Sequence, residues 1–304
     1  MHNLKIWKYV GMPWIVASLI FFVSFFYLSF FKGVDIEYIT NEYLFDLIKN
    51  TFILSFLTAI ISAFIAVPLA LLITFYNFPG NKFFSWSLSL SIAFPAYVYA
   101  FIYVGIFEYA SPISTFLRDF NISLPSIKNL LGASIIMSMA LFPYIYLLVK
   151  VQLSSMGINL FKASKTLGKN NIETIFKVII PSLWPAIVGG MSLVIFETVA
   201  DFGGVSTLRI ETFTVGIYNA WFGYQSYYSA AKLAGYLFVF VVAVILISKY
   251  YDNKQINLAS RTSEIFEKTN LNTVKAYLAS TICTLIFLVV FVAPLIQLFI
   301  WIFK

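Results

Sequence analysis

Histidine and cysteine are almost missing from this chain: 304 residues contain one of each. His2 stands at the extreme N-terminus and Cys283 lies in an apolar run. A His-based metal site or proton relay therefore has no raw material, an intrachain disulfide is impossible, and the lone thiol reads as inert packing. Charge is scarce as well. Only 11% of residues are Asp, Glu, Lys or Arg, against about a quarter in a soluble domain. The glycine-rich loop ending in Lys-Ser/Thr that cradles nucleotide phosphates is missing, as are HExxH, a paired DxxxD and GxSxG. Nucleotide hydrolysis and intramembrane hydrolase or lipid-transferase chemistry are thus not encoded. What is present is apolar, 61% of the chain with 33 Phe, the composition of a polytopic membrane protein. The net charge of +7 sits in short loops between apolar runs, which points to membrane topology and not to nucleic acid.

The first apolar run follows Lys5 and Lys8 and reaches Phe31. It is too long for a signal-peptide core and has no small-residue cleavage site, so it reads as the first of about seven spans. The others fall near 49–76, 83–107, 130–152, 182–201, 228–248 and 275–303, each able to cross a hydrocarbon core that takes ~20 helical residues. The fold class is all-α, a polytopic helical bundle. Pro68, Pro95 and Pro143 fall inside three of these runs, where bundled spans tolerate a kink. A cytoplasmic N-terminus puts thirteen of the twenty Lys and Arg on the inner side and nine of the thirteen acids on the outer side, the orientation the positive-inside rule favours. The polar stretch 250–274 is then a cytoplasmic linker.

Residues 158–181 form a polar, basic island between two of the spans. Gly168 breaks one helical pattern, Asn170 or Asn171 can cap the next, and Pro181 suits the first turn of a following helix. The reading is a helix–turn–helix elbow outside the bilayer. Its apolar face (Ile172, Ile175, Phe176) calls for a docking partner.

A second constellation is Glu197 and Asp201. At i and i+4 they share one helix face near the outer end of the fifth span, followed by Gly203 and Gly204, which let the backbone leave the helix. Acids at membrane depth are costly and usually face a bundle interior or a water-filled path. The competing reading ends the span near Val199 and makes Asp201 a solvated cap. Gly189, Gly190 and Ser192 allow close helix approach. Tyr97, Tyr99, Tyr103, Tyr144 and Tyr146 read as an interfacial belt or as core packing and not as a substrate box.

The elbow resembles the EAA motif of ABC-importer permeases. The family pattern is Glu-Ala-Ala, three residues, Gly, nine residues, Ile-x-Leu-Pro. Here it stands as Lys162-Ala163-Ser164, Gly168 and Val178-Ile179-Ile180-Pro181, with Lys162 departing from the usual Glu. Asp201-Phe202-Gly203 resembles the Glu-Phe-Gly of related anion permeases, and TFTVGIYNAWFG resembles the iron(III)-type branch. The resemblance implies the type I importer fold, with the elbow inserted into a groove on an ABC ATPase subunit. ATP and Mg would sit on that partner's dimer, with no cofactor on this chain. It also implies a periplasmic substrate-binding protein, a second permease half in cis or trans, and the bacterial inner membrane as location. In the iron(III) branch two halves are fused. Residues 1–249 are then the first half, 250–274 the linker, and 275–304 the first span of a second half missing from this chain. Glu197 and Asp201 would be transient oxygen ligands for iron(III). Permeases for thiamine, polyamine or phosphonate would carry the same marks. An ATP-independent secondary transporter would show inverted repeats around a midplane site.

Overall fold

Proline decides where the long apolar runs bend. The computed structural model describes residues 3–31, 39–166, 168, 170–252 and 268–303. Among them, seven helical stretches are long and apolar enough to cross a membrane. In chain order, α1 (Asn3–Phe30) and α2 (Asn41–Phe75) lead to a two-residue strand, β1 (Tyr76–Asn77), and to α3 (Asn81–Ser87). A 3-10 turn at Leu90–Ala93 precedes α4 (Ala96–Phe107), α5 (Pro112–Asp119) and α6 (Leu130–Thr166). Helix α7 (Asn171–Thr174) runs through a wide π turn at Ile175–Ile179 into α8 (Ile180–Ala200). Then come α9 (Gly203–Thr207), α10 (Phe213–Tyr218) with a π turn at Asn219–Gly223, and α11 (Tyr227–Asp252). Strand β2 (Thr269–Asn270) precedes α12 (Thr273–Phe287), which passes through a π turn at Leu288–Val292 into α13 (Ala293–Ile302).

Pro68 and Pro143 sit inside unbroken helices. Pro95 does not, and the run 83–107 expected as one span is interrupted there. Phe94 is extended (φ −102°, ψ 124°) and Pro95 stands at the N-cap of α4, because a residue before proline avoids the helical region. The third candidate span is Ala96–Asp119 instead. Pro181 and Pro294 act differently: each follows a π turn by two residues. A proline ring clashes with the carbonyl four residues back, and widening the turn relieves that clash. The N–H of Ile180 accordingly reaches five residues back to Ile175 O, and that of Ala293 reaches Leu288 O.

The chain divides into two compact units, Met1–Lys49 with Glu211–Ala243 and Asn50–Ile210 with Val244–Lys304. In the first, Leu47, Phe213, Ala220, Ala230 and Leu233 form the core. Helix α1 lies on α11 through edge-on contacts of Phe25 and Phe26 with Phe238 and a hydrogen bond from Ser29 Oγ to Ala231 O (2.8 Å). Gly235 permits this approach, since a Cβ there would stand 2.6 Å from Ser29 Cβ.

The second unit is built on the α6–α8 pair. A Cβ at Gly190 would stand 2.8 Å from Ile145 Cα, so the small residue sets how closely these helices cross. Around them lie α4, α9 and the α12–α13 rod. Strands β1 and β2 pair in parallel, Tyr76 with Thr269 and Asn77 with Asn270, and the Asn77 amide donates to Asn270 Oδ1 (3.0 Å). Lys268 donates to Ile73 O (2.8 Å) near the end of α2, where a cation is favourable to the helix C-terminus. Residues 253–267, most of the linker expected at 250–274, lie outside the described residues.

Candidate functional site

The elbow is closed by short-range polar contacts. Gly168 has φ +80°, the left-handed conformation that ends helices and favours glycine. Asn170 then caps α7. Its Oδ1 accepts from Glu173 N (2.8 Å), and Glu173 Oε2 accepts from Asn170 N (3.4 Å), the reciprocal arrangement of a capping box. Across the turn, Ser164 and Thr174 are buried and their hydroxyls stand 2.8 Å apart. The Thr174 hydroxyl donates to Asn170 O (2.9 Å), so Ser164 is the donor in the pair. This bond ties the end of α6 to α7. The Lys177–Glu173 ion pair (3.0 Å) is exposed and adds little. Lys162 and Ala163 fall in the last turns of α6, and their side chains, like that of Ile172, lie outside the described residues. Phe176 is 66% exposed. Pro181 lies in the first turn of α8, as expected. It sits just past the π turn, so α7 and α8 form one uninterrupted rod to Ala200.

That rod ends at the acids. Glu197 lies in the last turn of α8 and accepts a long hydrogen bond from Tyr144 OH (3.4 Å). Asp201 is not on the same helix face, as the i, i+4 spacing suggested, because the helix stops at Ala200 and Asp201 is extended (φ −72°, ψ 125°). Its carboxylate turns to the next helix, where Oδ2 accepts from Gly204 N (2.7 Å) and Val205 N (3.1 Å). Asp201 is therefore a cap, as the competing reading held, but a half-buried one. Both glycines are needed for close approach. A Cβ at Gly204 would meet Asp201 Oδ2 at 2.6 Å, and one at Gly203 would meet Tyr97 Cβ at 2.9 Å. A cavity of about 280 Å³ opens here. Ile92, Phe94, Pro95 and Ala96 line one side, Ala140, Leu141 and Tyr144 of α6 another, and Glu197, Ala200, Asp201 and Phe202 the third. Its charged lining residues are both acids. Tyr144 is the site residue that sequence reasoning grouped with the packing tyrosines. Its spacing on α6 carried no signal to single it out.

Burial raises the Asp201 carboxyl above its ordinary value. The N–H groups of Val205 and Gly204 oppose the shift, and the Glu197 charge adds to it. A carboxyl raised in the fold contributes its stability in full below the unfolded value, near 3.8. That contribution is lost as pH rises through the folded value. Asp201→Asn keeps the acceptor and removes the charge. It should melt at or above the wild-type temperature at pH 7, with the difference shrinking toward pH 4. Asp201→Ala loses the cap and should cost about 1 kcal/mol at both pH values. Thermal melting of the purified protein checks both.

Residues 63–264 match the family model described as binding-protein-dependent transport system inner membrane component. The chain belongs to this family. A relative within reach is the Fe(3+)-transport system permease protein FbpB 2 of Haemophilus influenzae, 26% identical over 221 residues, covering 73% of this chain and 40% of that protein. The sulfate transport system permease protein CysT of Escherichia coli is 27% identical over 169 residues, 56% of this chain and 60% of CysT. The chain thus spans between about two-fifths and three-fifths of these relatives' lengths. Among solved structures, it superposes on a chain of a bacterial ABC transporter involved in the import of the acidic polysaccharide alginate. The TM-score is 0.59 at 15% identity, with 83% of this chain and all of that one covered. The fold of this family member is accordingly that of a type I ABC importer permease.

Proposed function

We infer that this chain is the membrane permease part of an ATP-driven importer and that its cargo is iron(III). The observation that carries the cargo is the cavity at the end of α8. Two carboxylates and a tyrosine hydroxyl line it, with no Lys, Arg or His among its lining residues. Such a wall repels an oxyanion and offers hard oxygen ligands to a hard cation. Similarity to the Fe(3+) permease FbpB 2 supports the same reading. In it, Glu197 faces the cargo, Asp201 shapes the wall through Gly203 and Gly204, and a periplasmic binding protein delivers the ion.

The elbow transmits force. With the N-terminus in the cytoplasm, Lys162, Ala163, Ser164, Gly168 and Pro181 belong to the cytoplasmic face, where a dimer of ABC ATPase subunits binds ATP and Mg. A second permease half completes the pathway in the bacterial inner membrane. The span Ile175–Ala200 has 26 residues, about 39 Å at 1.5 Å per residue. It links the elbow to Glu197 without a break in the helix, and a push at one end tilts the cavity wall at the other. ATP drives transport only by favouring one of two packings of the bundle.

Uptake by native membranes carrying the complete transporter tests the cargo. Labelled iron(III) delivered by the binding protein should accumulate with ATP and be indifferent to excess sulfate. Accumulation of sulfate, or of an organic cation such as a polyamine, with no iron(III) taken up would overturn the assignment.

A further inference from the structure

The last span carries an arrangement that the permease reading does not use. Pro294 has no N–H, so neither Val290 O nor Val289 O, four and five residues back, can receive a hydrogen bond from it. The nearest upstream donor, Ala293 N–H, is committed to Leu288 O. Two tyrosines of α4 supply what the proline withdraws. Tyr99 OH donates to Val290 O (2.8 Å) and Tyr103 OH to Val289 O (2.5 Å). Both rings are buried and lie parallel, with an interplanar angle of 8°. They stand four residues apart on α4, and their hydroxyls converge on two successive carbonyls of the facing rod. A buried tyrosine hydroxyl needs a partner, and so does a freed carbonyl at membrane depth. Each defect answers the other.

The same π turn also packs against a residue that lines the acid-lined cavity. Phe94, one of its lining residues, leans on Phe291 of the turn (ring centroids 5.7 Å) and meets Tyr99 edge-on (6.1 Å). Pro95 and Ala96, the start of α4, line the cavity as well. Farther along, Phe101 meets Trp301 (5.2 Å), and Gly105 leaves room for that indole, since a Cβ there would stand 2.6 Å from it.

We propose that the last span is a positioning element for the cavity: the π turn imposed by Pro294 is clamped by Tyr99 and Tyr103, and the clamp sets where the Phe94 wall stands. Tyr99 and Tyr103 act through α4 and are positioning residues, not cargo ligands. The proposal rests on reading the cavity as the pathway, so its test does not use cargo.

Two reporters are read in the complete transporter in native membranes, with Cys283→Ala as background. Phe101→Cys with Trp301→Cys, bridged by a short bis-thiol reagent, reports docking of the last span on α4. Ala200→Cys, on the cavity wall, reports cavity width through its rate of labelling by a bulky thiol reagent. The combined Tyr99→Phe and Tyr103→Phe substitution should lower bridging at least fivefold and change the labelling rate at least threefold. In a Pro294→Ala chain the same pair of substitutions should change either reporter less than twofold, because the replaced residue brings its own N–H. Equal losses in both backgrounds, or none in either, would overturn the clamp. Lost bridging with unchanged labelling would overturn its effect on the cavity. Failure of iron(III) uptake alone would bear only on the cargo.

Discussion

Replacing Glu197 with lysine should reduce iron(III) uptake by roughly 100-fold, while leaving the amount of folded protein in the membrane unchanged. Two unit charges 4 Å apart interact by about 4 kcal/mol at an effective dielectric of 20. Glu197 is exposed in the chain alone, so solvent screening reduces that figure. Turning an attraction for a highly charged cation into a repulsion still leaves roughly 3 kcal/mol, near 100-fold in an equilibrium or rate. Glu197→Gln removes the attraction without adding repulsion and should fall between, near tenfold. Folding is spared because Glu197 makes one long hydrogen bond, to Tyr144 at 3.4 Å, and is not buried. Asp201→Asn is the contrasting control. That side chain is engaged with Gly204 and Val205, and the amide preserves the acceptor, so uptake should change far less. Normal uptake in the lysine variant would remove Glu197 from the pathway. Equal losses for Glu197→Gln and Asp201→Asn would show that cavity charge as a whole, and not this carboxylate, governs passage.

How much of this was legible in the residues depends on how far apart the partners lie. The elbow reads locally. Gly168 and the cap need only neighbours within five positions: the residues mark Gly168 as a helix breaker and Asn170 or Asn171 as the next cap, and the structure has Gly168 left-handed and Asn170 capping. The seven apolar runs also read locally, since length and hydropathy alone mark a helix able to cross a membrane. Asp201 was harder. Its i+4 spacing from Glu197 is the same whether the helix continues or stops; only the structure shows the stop at Ala200 and the carboxylate turned to the N–H groups of Gly204 and Val205. The break at Pro95 has a local cause, but Pro68 and Pro143 sit inside unbroken helices, so the residues alone did not say which proline would interrupt its run. The tyrosine clamp could not be read at all. Tyr99 and Val290 are 191 positions apart, and nothing near either marks it as the other's partner. What was missed is tertiary throughout. A proline's orphaned carbonyl or a glycine's missing Cβ has a meaning only once the facing helix is known.

The elbow offers the second large effect. Gly168→Val should cut the number of ions imported per ATP hydrolysed by about tenfold, with ATP hydrolysis itself persisting. Among the described residues, chain neighbours aside, no heavy atom lies within 4 Å of where a Cβ would stand at Gly168, so valine clashes with none of them. The cost comes from the backbone alone. At φ +80° an L-residue loses roughly 1–2 kcal/mol, most for a β-branched one. The chain sheds that strain by rotating φ toward negative values, which swings α7 relative to the end of α6. The Ser164–Thr174 hydrogen bond at 2.8 Å depends on that angle and would lengthen or break. The ATPase would still find the exposed Phe176, but its motion would be absorbed at a loosened turn and not passed along α8 to Glu197. Asparagine enters the left-handed region more readily than other side chains, so Gly168→Asn should keep coupling within about twofold of the wild type if left-handed geometry is the requirement. Uptake and phosphate release measured together in reconstituted transporter separate the cases. A valine variant with normal coupling would show that the turn's geometry does not carry force. Equal failure of asparagine and valine would place the requirement on the absence of any side chain at a partner's surface, not on the turn.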